Sequence, residues 1–253
     1  MKLFSRVIGE GKPLIILHGL FGLSDNWVSL AKKLAENFQV HLLDLRNHGQ
    51  SPHSDVFNYF ALVEDVLEYI EDNELNDYCL IGHSMGGKTA MGVAVSDTKK
   101  CKKLVVVDIT PKKYSLRHIS ELNAMLSINL LTTKTRKEVE EQLKLLLNDE
   151  KIIQLLLKNL YWREKEILDW RINLKSINNN ISYIFDYPFL SNVCELPSLY
   201  IKGEKSDYIQ QKDENIIKEL FPNSDLVVFP NAHHWVHVDS PELFYNTIIN
   251  FLK

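Results

Sequence analysis

Five residues in the first half of the chain, Gly82-His83-Ser84-Met85-Gly86, constrain the fold more than any other stretch. They fit G-x-S-x-G, in which a serine sits on a sharp turn between a strand and a helix. The flanks supply that context. Tyr78-Cys79-Leu80-Ile81 is a short apolar run of the kind that forms a buried strand, and residues 88–95 read as a helix. Glycines at 82 and 86 are needed because a strained backbone at the serine leaves no room for Cβ atoms two positions away on either side. The helix that begins after Ser84 aims its free N–H groups and the positive end of its dipole at any anion formed there.

The rest of the chain supplies a sheet for that turn. Pro13-Leu14-Ile15-Ile16-Leu17, residues 40–44 and Leu104-Val105-Val106-Val107 are further apolar strands. Between them, Trp27, Leu30, Ala31 and Leu34, and then Phe60, Val63, Val66, Leu67 and Ile70, fall at helical spacing. Near-continuous apolar strands alternating with helices predict an α/β fold whose mostly parallel central sheet is covered on both faces. The alternation stops near Pro111. Residues 115–186 offer no strand, only leucine-rich helical patterns at 122–131 and 139–160, and are expected to be a helical insertion over the sheet edge. Asn178-Asn179-Asn180 reads as a loop. The α/β pattern resumes at 196–201, with a helix near 212–220, a strand at 225–229 and a last helix at 241–252. Residues 1–114 and 187–253 are therefore expected to form one core, and 115–186 a cap.

Composition narrows the function classes. With 253 residues, 45% of them hydrophobic, the chain suits one large domain. Its 29 basic and 33 acidic residues give a net charge of −4, which argues against a nucleic-acid partner. No apolar run approaches ~18 residues, so no membrane span is expected. The N-terminus Met1-Lys2-Leu3-Phe4-Ser5-Arg6 lacks the features of a secretion signal, and a cytoplasmic location is expected. Cys79, Cys101 and Cys194 fit neither a disulfide framework nor a zinc site. With no phosphate loop or dinucleotide fingerprint either, neither a cofactor nor a metal is expected.

A serine hydroxyl is a weak nucleophile and needs a base, which needs an orienting acid. After a G-x-S-x-G turn the acid and then the histidine follow in chain order. The last strand is followed by His233-His234-Trp235-Val236-His237, so chemistry alone leaves three bases open. His18 and His83 flank other turns and read as loop-holding residues. For the acid, the loop Lys202-Gly203-Glu204-Lys205-Ser206-Asp207 has serine where a carboxylate is customary, three residues after the glycine. Asp207 is one residue out of phase. Asp108, at the end of the strand beside the nucleophile strand, is the alternative. The oxyanion of acyl transfer needs two N–H donors, for which Met85, after the nucleophile, and Leu20, in His18-Gly19-Leu20-Phe21-Gly22, are the candidates.

His18–Gly22, Asp44-Leu45-Arg46-Asn47-His48-Gly49-Gln50-Ser51, Gly82–Lys88, Val107-Asp108-Ile109-Thr110-Pro111 and His234-Trp235-Val236-His237 together resemble the YbfF-type esterases of the α/β-hydrolase superfamily. The likeness spans about residues 13–252 with the motifs in order. It implies the α/β-hydrolase fold with a helical cap, no cofactor, and a small-molecule substrate: a short acyl ester or an acyl-CoA thioester. It places the base at His234, whose tryptophan neighbour matches, and the acid at Asp108, with Ser206 as an auxiliary member of the site. His233 departs from the family, which commonly has glycine there. Arg46-Asn47-His48-Gly49 is expected to be a structural turn, and Lys88 an ordinary helix residue. Two further readings compete: a lyase or carbon–carbon bond hydrolase on the same fold, for which Lys112, Lys113 and Arg117 are the available cations, and a binding protein that has lost catalysis.

Overall fold

The computed structural model describes residues 1–133, 135–165 and 167–253. Its strands are β1 (Ser5–Ile8), β2 (Pro13–Leu17), β3 (Gln39–Leu43), β4 (Tyr78–His83), β5 (Cys101–Val107), β6 (Leu160–Glu164), β7 (Ile167–Trp170), β8 (Ser198–Gly203) and β9 (Ser224–Phe229). Its helices are α1 (Val28–Leu34), α2 (Tyr59–Asp72), α3 (Met85–Ser96), α4 (Ile119–Ser127), α5 (Arg136–Leu146), α6 (Glu150–Leu157), α7 (Leu174–Ile184), α8 (Glu214–Leu220), α9 (Val236–Asp239) and α10 (Pro241–Leu252).

Seven strands form one sheet in the order β1-β3-β2-β4-β5-β8-β9. All neighbours are parallel except β1, which runs antiparallel to β3. Successive side chains on a strand point to opposite faces, and the sequence supplies apolar residues for both. Leu14, Ile16, Cys79, Ile81, Val105 and Val107 pack with Ala31 and Leu34 of α1 and with Phe244 and Ile248 of α10. Ile15, Leu17, Leu80, Leu104 and Val106 pack on the other side with α2 and α3 residues such as Leu62, Val66, Ala90 and Met91. Two buried faces explain why these strands read as continuous apolar runs. Because β3, β2, β4, β5, β8 and β9 all run parallel, the loops that follow them emerge at one edge, the usual ligand crevice of such sheets.

Four local expectations need correction. The edge strand β1 escapes a sequence reading because it is four residues long and only half-buried. Within 115–186, β6 and β7 form an antiparallel hairpin in a segment that reads as free of strands. Its aromatic and branched residues Tyr161, Trp162, Ile167 and Trp170 favour extended backbone, but they run on from a leucine-rich helical pattern that masks them. That pattern is itself cut in two. The Asp149 side chain accepts from Lys151 and Ile152 N–H, capping α6 anew after α5 ends. Asn178–Asn180 belong to α7 rather than to a loop. Ile177, Ile181 and Ile184 are buried along it, and burial of that stripe outweighs the weak helix propensity of asparagine.

Candidate active site

Ser84 follows β4 with φ 53° and ψ −116°, a backbone conformation strained for any residue with a side chain. Its N–H donates to the Val107 carbonyl at 3.0 Å, which ties the turn to β5. A Cβ on Gly82 would strike the Gly86 carbonyl, and one on Gly86 would strike the carbonyls of Leu17 and His18. Both glycines are therefore demanded by close packing of the turn against β2 and against itself.

Asp108 follows β5, also at positive φ (52°), and is fully buried. Its Oδ1 accepts from Gly203 N–H at 3.0 Å. Its Oδ2 accepts from the Ser206 hydroxyl and lies 2.8 Å from His234 Nδ1. Burial pushes the Asp108 carboxyl upward, while the Ser206 and Gly203 donors oppose that shift by stabilising the anion. Burial pushes the His234 imidazole well down, and the nearby His118 and Arg117 act in the same direction. The imidazole is thus held neutral, with Nδ1–H directed at Asp108 and Nε2 left to accept a proton. Ser84 and His234 line the same small cavity. Asp207 instead is 69% exposed and forms a bidentate pair with Arg117 at 2.6 and 2.9 Å, acting on His234 only through its charge. His233 is exposed beside Asp239, and His237 stacks on Trp27 with centroids 4.0 Å apart. Of the three loop histidines, the structure brings His234 to Asp108.

The loop 18–22 lies against the serine. A Cβ on Gly19 would sit 3.3 Å from Ser84 Cβ, and Leu20 and Met85 line a cavity with Ser84. Histidines hold this loop in place. His18 Nδ1 donates to Gly19 O (2.8 Å) while its Nε2 accepts from Leu45 N–H (3.0 Å). His48 Nε2 accepts from Phe21 N–H at 3.3 Å, and its Nδ1 donates to Arg46 O. His83 Nε2 donates to the carbonyl of His234 at 3.0 Å, so the residue before the serine anchors the backbone of His234. Arg46 itself forms a buried bidentate pair with Asp65, consistent with a structural turn.

Lys88 is not an ordinary helix residue. It is 1% exposed, its ammonium donates to Asp186 O (2.6 Å), and it lies 4.8 Å from the Tyr114 ring centroid. Burial pushes its pKa down to about 7. Lys88 thereby ties α3 to the end of the 115–186 segment. Sequence reasoning missed it because helical spacing shows which side of α3 it occupies, not what covers that side. It also missed Tyr208, whose ring stacks on His234 with centroids 3.8 Å apart and planes 13° apart. Only its spacing from Ser206 could have drawn notice.

Beyond the serine, a larger cavity of about 320 Å³ is lined by Leu20, Trp27, Leu155, Trp235 and Val238 among others. Among the described residues, no group of three or more His, Cys, Asp or Glu side chains could hold a metal ion. No helix among them is long and apolar enough to cross a membrane.

Residues 12–241 match the family described as alpha/beta hydrolase fold. The chain is 37% identical over 253 residues to the sn-1-specific diacylglycerol lipase ABHD11 of Danio rerio, covering 97% of this chain and 80% of that protein. It is 31% identical over 245 residues to esterase YbfF of Escherichia coli (strain K12), covering 96% and 94%. Among solved structures, a marine microorganism esterase superposes with a TM-score of 0.95 at 43% identity, covering 99% of each chain. The chain belongs to the alpha/beta hydrolase fold family.

Proposed function

We propose that this esterase/lipase-type hydrolase cleaves short-to-medium acyl esters and acyl-CoA thioesters through an acyl-enzyme on Ser84. The observation that carries the reading is the buried 2.8 Å contact between His234 Nδ1 and Asp108 Oδ2, beside a serine on a strained turn. His234 Nε2 takes the Ser84 hydroxyl proton as Oγ attacks the acyl carbon. The N–H groups of Leu20 and Met85 receive the oxyanion, each supplying roughly 3–4 kcal/mol of transition-state stabilisation. Collapse of the tetrahedral intermediate breaks the bond to the leaving oxygen or sulfur, which takes the proton from His234. Water then repeats the sequence in reverse and frees the acid. Asp108 holds the imidazole tautomer and stabilises the imidazolium, and Ser206 and Gly203 hold Asp108.

The names borne by the relatives, esterase and diacylglycerol lipase, support ester substrates. A lyase or carbon–carbon hydrolase would need cations free to bind a charged substrate; of its three candidates Lys112 and Arg117 are engaged by Asp213 and Asp207, which leaves the exposed Lys113. Turnover should be measured on p-nitrophenyl esters and acyl-CoAs of increasing chain length. Hydrolysis that falls off beyond medium chains supports the reading. Absence of turnover on both series would overturn it in favour of another chemistry or of binding alone.

A further inference from the structure

Tyr208 connects the candidate base to the segment that covers the site. It lies in the loop after β8, two residues beyond Ser206, and its amide donates to Ser206 Oγ at 3.3 Å. One face of its ring is taken by the His234 imidazole, 3.8 Å away and nearly parallel. A ring stacked so closely leaves no room for a guanidinium on that face. Arg117, whose guanidinium carbon lies 4.4 Å from the ring centroid, therefore occupies the other. Its bidentate pair with Asp207, the neighbour of Tyr208, fixes it there. The phenol oxygen lies 2.9 Å from His118 Nε2. His118 Nδ1 in turn lies 2.9 Å from Glu121 Oε1, and Ser120 Oγ donates to Glu121 Oε2. Glu121 accepts from Nδ1–H, so Nε2 accepts the phenol proton. The Tyr208 carbonyl accepts from Tyr114 O–H at 2.8 Å. Every polar group of Tyr208 is thus bonded, and the ring is sandwiched.

Arg117, His118 and Glu121 all belong to the chain between β5 and β8, whereas Ser206, Tyr208 and His234 belong to loops at the sheet edge. The contact crosses from one to the other at the ring that touches the imidazole. Opposite Tyr208, His234 is flanked by His83, with centroids 4.7 Å apart. The imidazole has one bonded nitrogen, at Asp108, and its tilt about that bond is limited by these two rings.

We propose that Tyr208 is a positioning residue for His234, and that Arg117 and His118 hold it in register, so that the covering segment sets the orientation of the base. The inference rests on the reading of Ser84 and His234 as nucleophile and base. Tyr208→Leu removes the stack. It should lower kcat on p-nitrophenyl acetate by up to about 10²-fold, as a small misplacement of a reacting group can, while KM, to which Tyr208 contributes as part of the wall of the Ser84 cavity, should change far less. Tyr208→Phe retains the stack and loses the phenol bond to His118, and should restore most of kcat. The remaining deficit should be no larger than that of His118→Ala, which also deletes the bond to Glu121, and the double variant should show no loss beyond that of His118→Ala, because the two substitutions share the phenol–imidazole bond.

Wild-type protein should also be labelled by a fluorophosphonate at Ser84, and more slowly in Tyr208→Leu. Wild-type kcat and labelling rate in Tyr208→Leu, or a change confined to KM, would overturn the proposal while leaving the nucleophile intact. Failure to label Ser84 in the wild type would overturn the underlying reading, and the proposal with it. Should Tyr208→Leu not fold, the double-mutant cycle built from Tyr208→Phe and His118→Ala decides: additive losses from those two substitutions would overturn the coupling.

Discussion

Asp108 and Asp207 differ by what surrounds them. One is buried and accepts from Ser206, Gly203 and His234; the other is exposed and neutralised by Arg117. Asp108→Asn should keep the fold and lower kcat by up to about 10⁴-fold, the scale of loss when a triad acid is neutralised. Asp207→Asn should do far less, and steady-state kinetics on the two variants would show the ranking. The distinction was legible in sequence, because serine at 206 vacates the customary acid position and Asp108 ends the neighbouring strand. What Ser206 does there was not legible beyond the family resemblance, since its partner is 98 residues away. Its hydroxyl stabilises the ionised carboxylate, so Ser206→Ala should raise the Asp108 pKa further. The ionised, working form is then lost at a higher pH as the solution is acidified. The acid limb of kcat/KM should move to higher pH, by about one unit if the bond is worth ~1.5 kcal/mol. An acid limb that stays put or moves down in the measured pH–rate profile would remove Ser206 from the site. Tyr208 and the His118–Glu121 pair had no sequence signature, because aromatic stacking and cross-segment hydrogen bonds depend on where loops meet.

The elements that could be read were those with both a period and a boundary. The inner strands carry apolar residues for two buried faces, and α10 begins at Pro241 in the first helical turn. The segment between β5 and β8 was harder, because leucines serve equally in helices, in the hairpin and at the cavity wall. From α6, Ile152 and Leu155 line the cavity that holds Ser84 and His234, and Leu155 also lines the larger one. We propose that the segment from about 115 to 186 acts as a cap that selects the acyl group, with these residues as part of its lining. Leu155→Ala and Ile152→Ala should shift relative kcat/KM toward longer chains across an ester series. An unchanged length profile in both variants would show that this helix does not select.

At the scale of the molecule, the six parallel strands gather six loops at one edge, and buried polar ties keep them registered. The Arg46–Asp65 pair is one of these, joining the turn after β3 to α2, with the Met1 ammonium also on Asp65. Arg46→Met leaves a buried carboxylate with one partially exposed partner. It should destabilise the fold by about 3 kcal/mol or more, measured as a lower urea midpoint at unchanged slope; a midpoint equal to wild type would show the pair to be dispensable. The central claim concerns chemistry at that edge, and intact-protein mass spectrometry after brief incubation with a fluorophosphonate addresses it most directly. The expected result is a single adduct, mapped by peptide digestion to Ser84, absent in Ser84→Ala and formed far more slowly in His234→Ala. An adduct on another residue, or equal labelling in Ser84→Ala, would contradict the assignment of Ser84 as the nucleophile.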